Sequence, residues 1–443
     1  MRLSERRSRR LVLAPALLLC FSVPALASND ETSGAPSFHR DVLPVLQANC
    51  QTCHRAAGLN LGGMIAPMPL TTYAETRPWA KSIARAVKSG EMPPWHASSQ
   101  FHGVFSNERT LSEAEIETLA RWASTGAKAG EAADAPAPTD WPETEWSIGE
   151  PDLVVSLAEP YHVTDDLLDL NVNLPAQEIP AGVLDEDRYI VAAEYKPDTT
   201  AVHHIIGFAI TPPQEEGGQP GRLRLPGIAP GAEPSEFPPG FGIRLPKGSK
   251  LMLQMHYHKE PGEGTEVWDR STVAFRFADE PVREIYVSSV GDPREMYLPA
   301  NTKDHFISKE EILASDITIM SLLPHMHYRG AYSKYTATLP DGTVRELLEV
   351  PRYDFNWQTR YRFKDHLKLP AGTKLEVTMG YDNTAGNPNN PDPTTEVKWG
   401  SRTNDEMNLG FFYWAFSDPD KPIEGNRVTP FVRAQPGSAD SGR

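Results

Sequence analysis

From about residue 148 to residue 425 the chain is a succession of short runs in which apolar and polar residues alternate, and this pattern limits its folds more than any other feature. The runs fall at 189–195, 202–210, 250–258 and 272–277, then at 317–328, 332–339, 374–381 and 408–416. Alternation with a period of two marks half-buried strands, and turn clusters such as Pro340-Asp341-Gly342 separate them. A helical bundle is excluded for this region, and 41 prolines in the whole chain point the same way. The expected architecture is two mainly antiparallel, jelly-roll-like β-sandwich domains, at 148–287 and 288–425, with a flexible tail at 426–443.

The ends of the chain set its compartment. Five arginines within residues 2–10, an apolar run over 11–26 and the sequence Ala25-Leu26-Ala27 have the form of a secretory signal peptide over 1–27. Pro15, Pro24 and the short apolar length argue against a retained membrane helix, and no later stretch is long and apolar enough to span a bilayer. The expected location is the periplasm or the exterior, without stable membrane insertion. Removing 1–27 takes the formal charge from −16 to about −20, which excludes nucleic acid as a partner because binding it demands a basic face.

Of three cysteines, Cys20 leaves with the signal and the other two form Cys50-Gln51-Thr52-Cys53-His54. The exported chain therefore has no cysteines left over for a structural disulfide. Cys-x-x-Cys-His is the attachment motif of c-type haem, with two thioethers from Cys50 and Cys53 and His54 as iron ligand. The alternatives are a redox dithiol or half a zinc site, and zinc would need a second cysteine pair, which the chain lacks. The expected sixth ligand is Met92, in Gly90-Glu91-Met92-Pro93-Pro94-Trp95, with Met64 and Met68 as competitors. Helical spacing over 38–49 and 76–89, and a Ser112-x-x-Glu115 capping box opening a third helix, frame the motif. Residues 36–128 are thus expected to be a small α-helical cytochrome c domain, and residues 129–147, rich in Ala, Glu, Pro and Thr, a linker.

Within the β region the histidines cluster. His325 and His327 follow an apolar run and, two apart, share a strand face close enough for one metal ion. His256 and His258 share a face in the same way, and His203 and His204 are adjacent. Neighbours on a regular strand point to opposite sides, so His203 and His204 can share a metal only if a bulge or a strand start intervenes. Met407 precedes an aromatic strand, where a lone methionine is ordinarily core, but thioether with imidazole is a soft donor set that suits copper, above all Cu(I).

In order, His203-His204, Gln254-Met255-His256-Tyr257, His325-Met326-His327 and Thr403-x-Asp405-Glu406-Met407 resemble the ligand motifs of the copper type II, ascorbate-dependent monooxygenases, the family of peptidylglycine α-hydroxylating and dopamine β-monooxygenases. The resemblance covers about 150–420. It implies two jelly-roll-like domains, each with a copper, facing across a cleft. By this resemblance His203, His204 and His256 hold an electron-transfer copper, while His325, His327 and Met407 hold the catalytic copper that takes dioxygen. His258 lies beyond the pattern. Peptide-amidating members have Arg two residues before the His-x-His and Tyr four after the methionine, where this chain has Leu323 and Phe411. Peptide amidation is therefore not expected.

The motifs together suggest an exported monooxygenase with one haem c and two coppers, hydroxylating a C–H bond of a small organic substrate with dioxygen. Its electrons would come from an external donor, a periplasmic redox protein or a small reductant. The alternatives are a non-catalytic copper-binding or electron-transfer protein, and a haem–copper oxidoreductase of a small inorganic molecule. Protein matured with the cytochrome c machinery should carry one covalent haem in a pyridine haemochrome assay, and Cys53→Ala should lose one thioether. Finding no covalent haem contradicts the motif reading.

Overall fold

The computed structural model describes residues 34–432, apart from 57, 60, 142–144, 214–217, 293 and 421–427. The stretch read as a signal peptide lies outside the described residues, as does most of 426–443. The alternating runs form strands close to where the pattern puts them, including Lys250–His258, Thr272–Phe277 and Lys374–Tyr381. Ile317–His325 is buried along nearly its whole length because it lies in the middle of its sheet, between Leu409–Phe416 and Tyr361–Leu369. A strand covered on both faces is apolar throughout rather than alternating. No described helix is long and apolar enough to cross a membrane.

The expected fold class, a separate α-helical domain followed by two self-contained β-sandwich domains, is not what forms. The chain is mostly β, 37% strand against 12% helix, with four principal sheets arranged as a four-blade, propeller-like ring. Within each sheet, strands that are neighbours in space are mostly not consecutive in sequence. One orders Asp169–Asn173, Lys250–His258, Val202–Thr211 and Gly221–Ile228, and another Tyr286–Val290, Leu409–Phe416, Ile317–His325 and Tyr361–Leu369. The described residues from Pro36 onward make one compact unit.

The physical reason is that the cores are shared. Met320, Tyr413 and Ala415 are buried in the cluster built mainly from residues 153–285. Phe101 and Phe105, C-terminal to the Cys-x-x-Cys-His motif, are buried in the other large cluster, beside Tyr361 and Phe363. The helical segment is docked as well as linked. Ser98 N–H donates to the Glu349 carbonyl at 2.8 Å, Ser106 N–H to that of Arg362 at 2.8 Å and Lys364 N–H to that of Val104 at 2.9 Å.

The helices themselves are short. Glu113–Ser124 opens on the expected capping box, with both halves formed between Ser112 and Glu115. Ala80–Ser89 ends at Gly90 in the left-handed conformation. Gly62 and Gly231, both at positive φ, let the loop after the motif meet the β region. A Cβ on Gly62 would lie 1.9 Å from the Ala229 carbonyl oxygen, and one on Gly231 2.6 Å from Trp357 Cα.

Because Phe105 fills a core made by the sheets, Phe105→Ala should lower the stability of the β region by about 3–5 kcal/mol. Denaturant unfolding followed by far-ultraviolet circular dichroism measures this, and an unchanged midpoint would mean that the helical segment is merely tethered.

Candidate metal centres and the Cys-x-x-Cys-His cleft

His203, His204 and His256 converge. The register between Val202–Thr211 and Lys250–His258 breaks between Val202 and His204, and His204 then sits opposite His256. Such a bulge brings adjacent side chains to one side, meeting the condition that the sequence set for His203 and His204. His204 Nδ1 lies 3.5 Å from His203 Nδ1 and 3.3 Å from His256 Nδ1. One nitrogen from each ring falls within 4.8 Å of the other two, so this buried cluster could bind a metal ion. Burial, reinforced by the neighbouring imidazoles, pushes His203 and His204 well below the usual histidine range, leaving lone pairs available at neutral pH.

Asp169 orients this cluster. Its carboxylate lies 3.1 Å from His256 Nε2 and 3.4 Å from His258 Nδ1, and accepts from Thr403 N–H at 3.0 Å. Burial works to raise the Asp169 pKa, but hydrogen bonds from His256 and His258 outweigh it and hold the group well below the usual carboxylate range. His258 is a neighbour of the cluster, set between Asp169 and the Tyr328 hydroxyl, which is 3.4 Å from its Nε2.

The second pair is built differently. His325 Nδ1 lies 2.7 Å from Gln358 Oε1, and His327 Nδ1 3.1 Å from the Asp405 carbonyl oxygen. The Gln358 amide donates to the Phe355 carbonyl, which fixes which end faces His325. Both Nδ1 atoms therefore carry protons and both Nε2 atoms present lone pairs. The rings are 5.3 Å apart between centroids and nearly perpendicular. Burial, then the neighbouring His327, lowers His325 to about 3, and burial lowers His327 to about 4.

Met407 is tied to this pair through the backbone. The antiparallel ladder ends at the His325–Leu409 pair, two residues short of His327 on one side and of Met407 on the other. The buried Glu406 carboxylate accepts from the N–H groups of His327 at 2.8 Å, Arg329 at 2.6 Å and Met407 at 3.2 Å. Tyr381 donates to the Met407 carbonyl at 2.9 Å. Desolvation raises the Glu406 pKa to about 7 against the pull of those hydrogen bonds.

Phe355 packs on one ring of each group. His203 stacks on it at 4.8 Å between centroids, and His327 meets it edge-on at 5.8 Å.

Cys50, Cys53, His54 and Met92 line one largely apolar cleft, with Met64, Arg109 and Trp357. Both thiols are free, and burial pushes Cys50 up to about 12. His54 Nδ1 lies 3.1 Å from the Met68 carbonyl oxygen, leaving its Nε2 open. Met68 is thus engaged here through its backbone. His102 is exposed and pairs with Glu108 at 2.6 Å, whereas His96 is half-buried.

Sequence reasoning missed Asp169, Phe355, Gln358 and Arg109. Nothing local marks the first three, which act from other strands and loops. Glu406 stood inside a quoted motif, next to the residue that drew attention.

No family model and no curated protein matches this chain. Among solved structures, PNGF-II shares 10% identity over 61% of this chain and 66% of that one, with a TM-score of 0.24. PNGase F, a glycosylasparaginase from Flavobacterium meningosepticum, shares 10% over 62% and 98% with a TM-score of 0.23, and Bacillus subtilis oxalate decarboxylase 8% over 66% and 87% with a TM-score of 0.15.

Carboxylates behind metal-bound histidines fix ring orientation and raise basicity. Asp169→Asn should therefore weaken metal binding at His203, His204 and His256 by about 10–100-fold in a competitive chelator titration. Unchanged affinity would show that these rings hold no metal or need no orientation.

Proposed function

We propose that this chain is an exported haem–copper monooxygenase that hydroxylates a C–H bond of a small organic substrate. The observation that carries the reading is the closeness of two unlike donor sets that share one aromatic neighbour: a three-imidazole cluster whose His203 stacks on Phe355, and the His325/His327 pair, whose His327 meets the same ring and whose backbone shares the Glu406 carboxylate with Met407. All-imidazole donors suit copper that cycles between its two oxidation states, and a thioether with imidazoles favours Cu(I).

The Cys-x-x-Cys-His cleft supports haem on separate grounds. It is apolar, and both cysteines, His54 and Met92 open onto it. Arg109 also faces it, its Nε buried without a hydrogen-bond partner and one terminal nitrogen 3.6 Å from Glu233, so it adds a cation to the wall of the cleft that a haem propionate could share.

Bound copper would supply dioxygen activation and bound haem single-electron transfer. The chain's own residues do the rest. Asp169, Gln358 and the Asp405 carbonyl fix the imidazole tautomers, Glu406 ties the Met407 backbone to that of His327, and Phe355 packs on one ring of each cluster. Trp357 lines the haem cleft and precedes Gln358, the partner of His325, so the two regions are joined by one peptide bond. Each turnover takes dioxygen, two electrons and two protons, placing one oxygen atom in the product and the other in water. A periplasmic redox protein or small reductant would supply the electrons.

With substrate and labelled dioxygen, oxygen-18 should enter the product; uptake of dioxygen without label in any organic product favours oxidase chemistry instead. Met407→Ala should abolish the infrared band of carbon monoxide on the reduced copper protein, whereas His204→Ala should keep that band and impair electron delivery. A carbonyl band and turnover unchanged by Met407→Ala would make Met407 an ordinary core residue.

A further inference from the structure

A second cleft lies away from the residues assigned to metal and haem. It has a volume of about 510 Å³ and is bounded by Phe237, Pro238 and Pro239 from one side and by Met320, Tyr413 and the strand Tyr361–Leu369 from the other. Arg360, Arg362, Lys364 and His366 all line it. Tyr361 and Phe363 turn into the core of the neighbouring sheets, which sends Arg362 to the opposite face, while Lys364 and His366 lie where the ladder with Ile317–His325 breaks register between Arg362 and Leu367.

Four nitrogen-bearing side chains on one cleft are unusual in a chain of formal charge −16. The bland explanation is edge protection, since charged residues on edge strands block unwanted pairing. Tyr361–Leu369 is indeed the last strand of its sheet. Its edge, however, is already covered. Ser106 N–H donates to the Arg362 carbonyl, Lys364 N–H to that of Val104, and Phe105 bridges to Phe363. Charges there have no pairing edge left to defend.

Arg360 is the most telling member. Its guanidinium lies 4.9 Å from the Tyr413 ring centroid and 5.6 Å from that of Phe237, with no ion-pair partner among the described residues. Burial lowers its pKa, the sign of a cation held in a poorly solvated place. Arg362 differs, being paired with Glu233 at 2.6 Å, and Glu236 is the single carboxylate residue in the lining.

We propose that this cleft binds a small organic anion, its carboxylate or phosphate head on Arg360 with Lys364 at the mouth, and its apolar body against Phe237, Pro238 and Met320. A guanidinium between aromatic rings offers a planar fork of donors to such a head, and apolar walls beside convergent polar groups are the usual make-up of a small-molecule site. The site requires neither metal nor haem, so it stands independently of the monooxygenase reading.

Isothermal titration of the full mature protein tests it with three probes: phenylacetate, inorganic phosphate and the neutral phenylacetamide. Phenylacetate should bind at sub-millimolar concentration and phenylacetamide at least about tenfold more weakly. Phosphate binding as tightly as phenylacetate would assign the head to phosphate chemistry and leave the apolar wall secondary. Arg360→Gln should weaken the anion about tenfold or more, and Lys364→Gln, at an exposed position that folding does not need, about threefold with a shallower salt dependence. Binding should persist after copper is chelated. The proposal is overturned if neither anion binds, if the amide binds as well as the acid, if both variants bind like wild type, or if chelation abolishes binding.

Discussion

The buried carboxylate of Glu406 is the interaction on which the His-x-His region depends. One oxygen accepts from the backbone N–H groups of His327 and Met407, and the other from that of Arg329. Two segments about eighty residues apart in sequence are thereby locked together at the point where their side chains must meet. The arrangement costs desolvation, which shows in the raised pKa, and three N–H donors offset part of that cost. The nearby Arg329 guanidinium is itself buried and spends its donors on Asn383 and the Asn404 carbonyl, stiffening the same loop. Asp169 does the corresponding work for the three-histidine cluster, and its bond to Thr403 N–H reaches the loop that carries Glu406 and Met407. Two carboxylates thus hold both donor sets through one loop.

Shared cores explain why these groups sit on a common frame. Were the chain three beads on a string, Phe355 could not keep its place against both His203 and His327. Tyr413 and Met320 cross into the first cluster, while Phe101 and Phe105 anchor the helical segment to the second. The Cys-x-x-Cys-His cleft built this way has a fixed relation to the histidine clusters, with Trp357 in its wall and Gln358 on His325.

Much of this was legible in the sequence, because local rules govern it. Strands such as Lys250–His258 follow from alternation, and His325/His327 and Cys50/Cys53/His54 meet because short-range spacing brings them together, with Met92 joining the latter from the turn that follows helix Ala80–Ser89. The His203–His204 bulge was a stated condition that no sequence signal could settle, since it depends on the register with Lys250–His258. The fold class misled because a loop phenylalanine such as Phe105 reads as local when its partners, Tyr361 and Phe363, lie more than 250 residues away. Asp169 and Gln358 were invisible for the same reason, being ordinary polar residues whose partners are set by topology.

The most direct measurement is anomalous diffraction at the copper edge from crystals of the reduced, copper-loaded protein. Two peaks are expected, one bounded by His203, His204 and His256 and the other by His325, His327 and Met407. A single peak, or a second one without Met407 beside it, would contradict the assignment of two unlike copper sites.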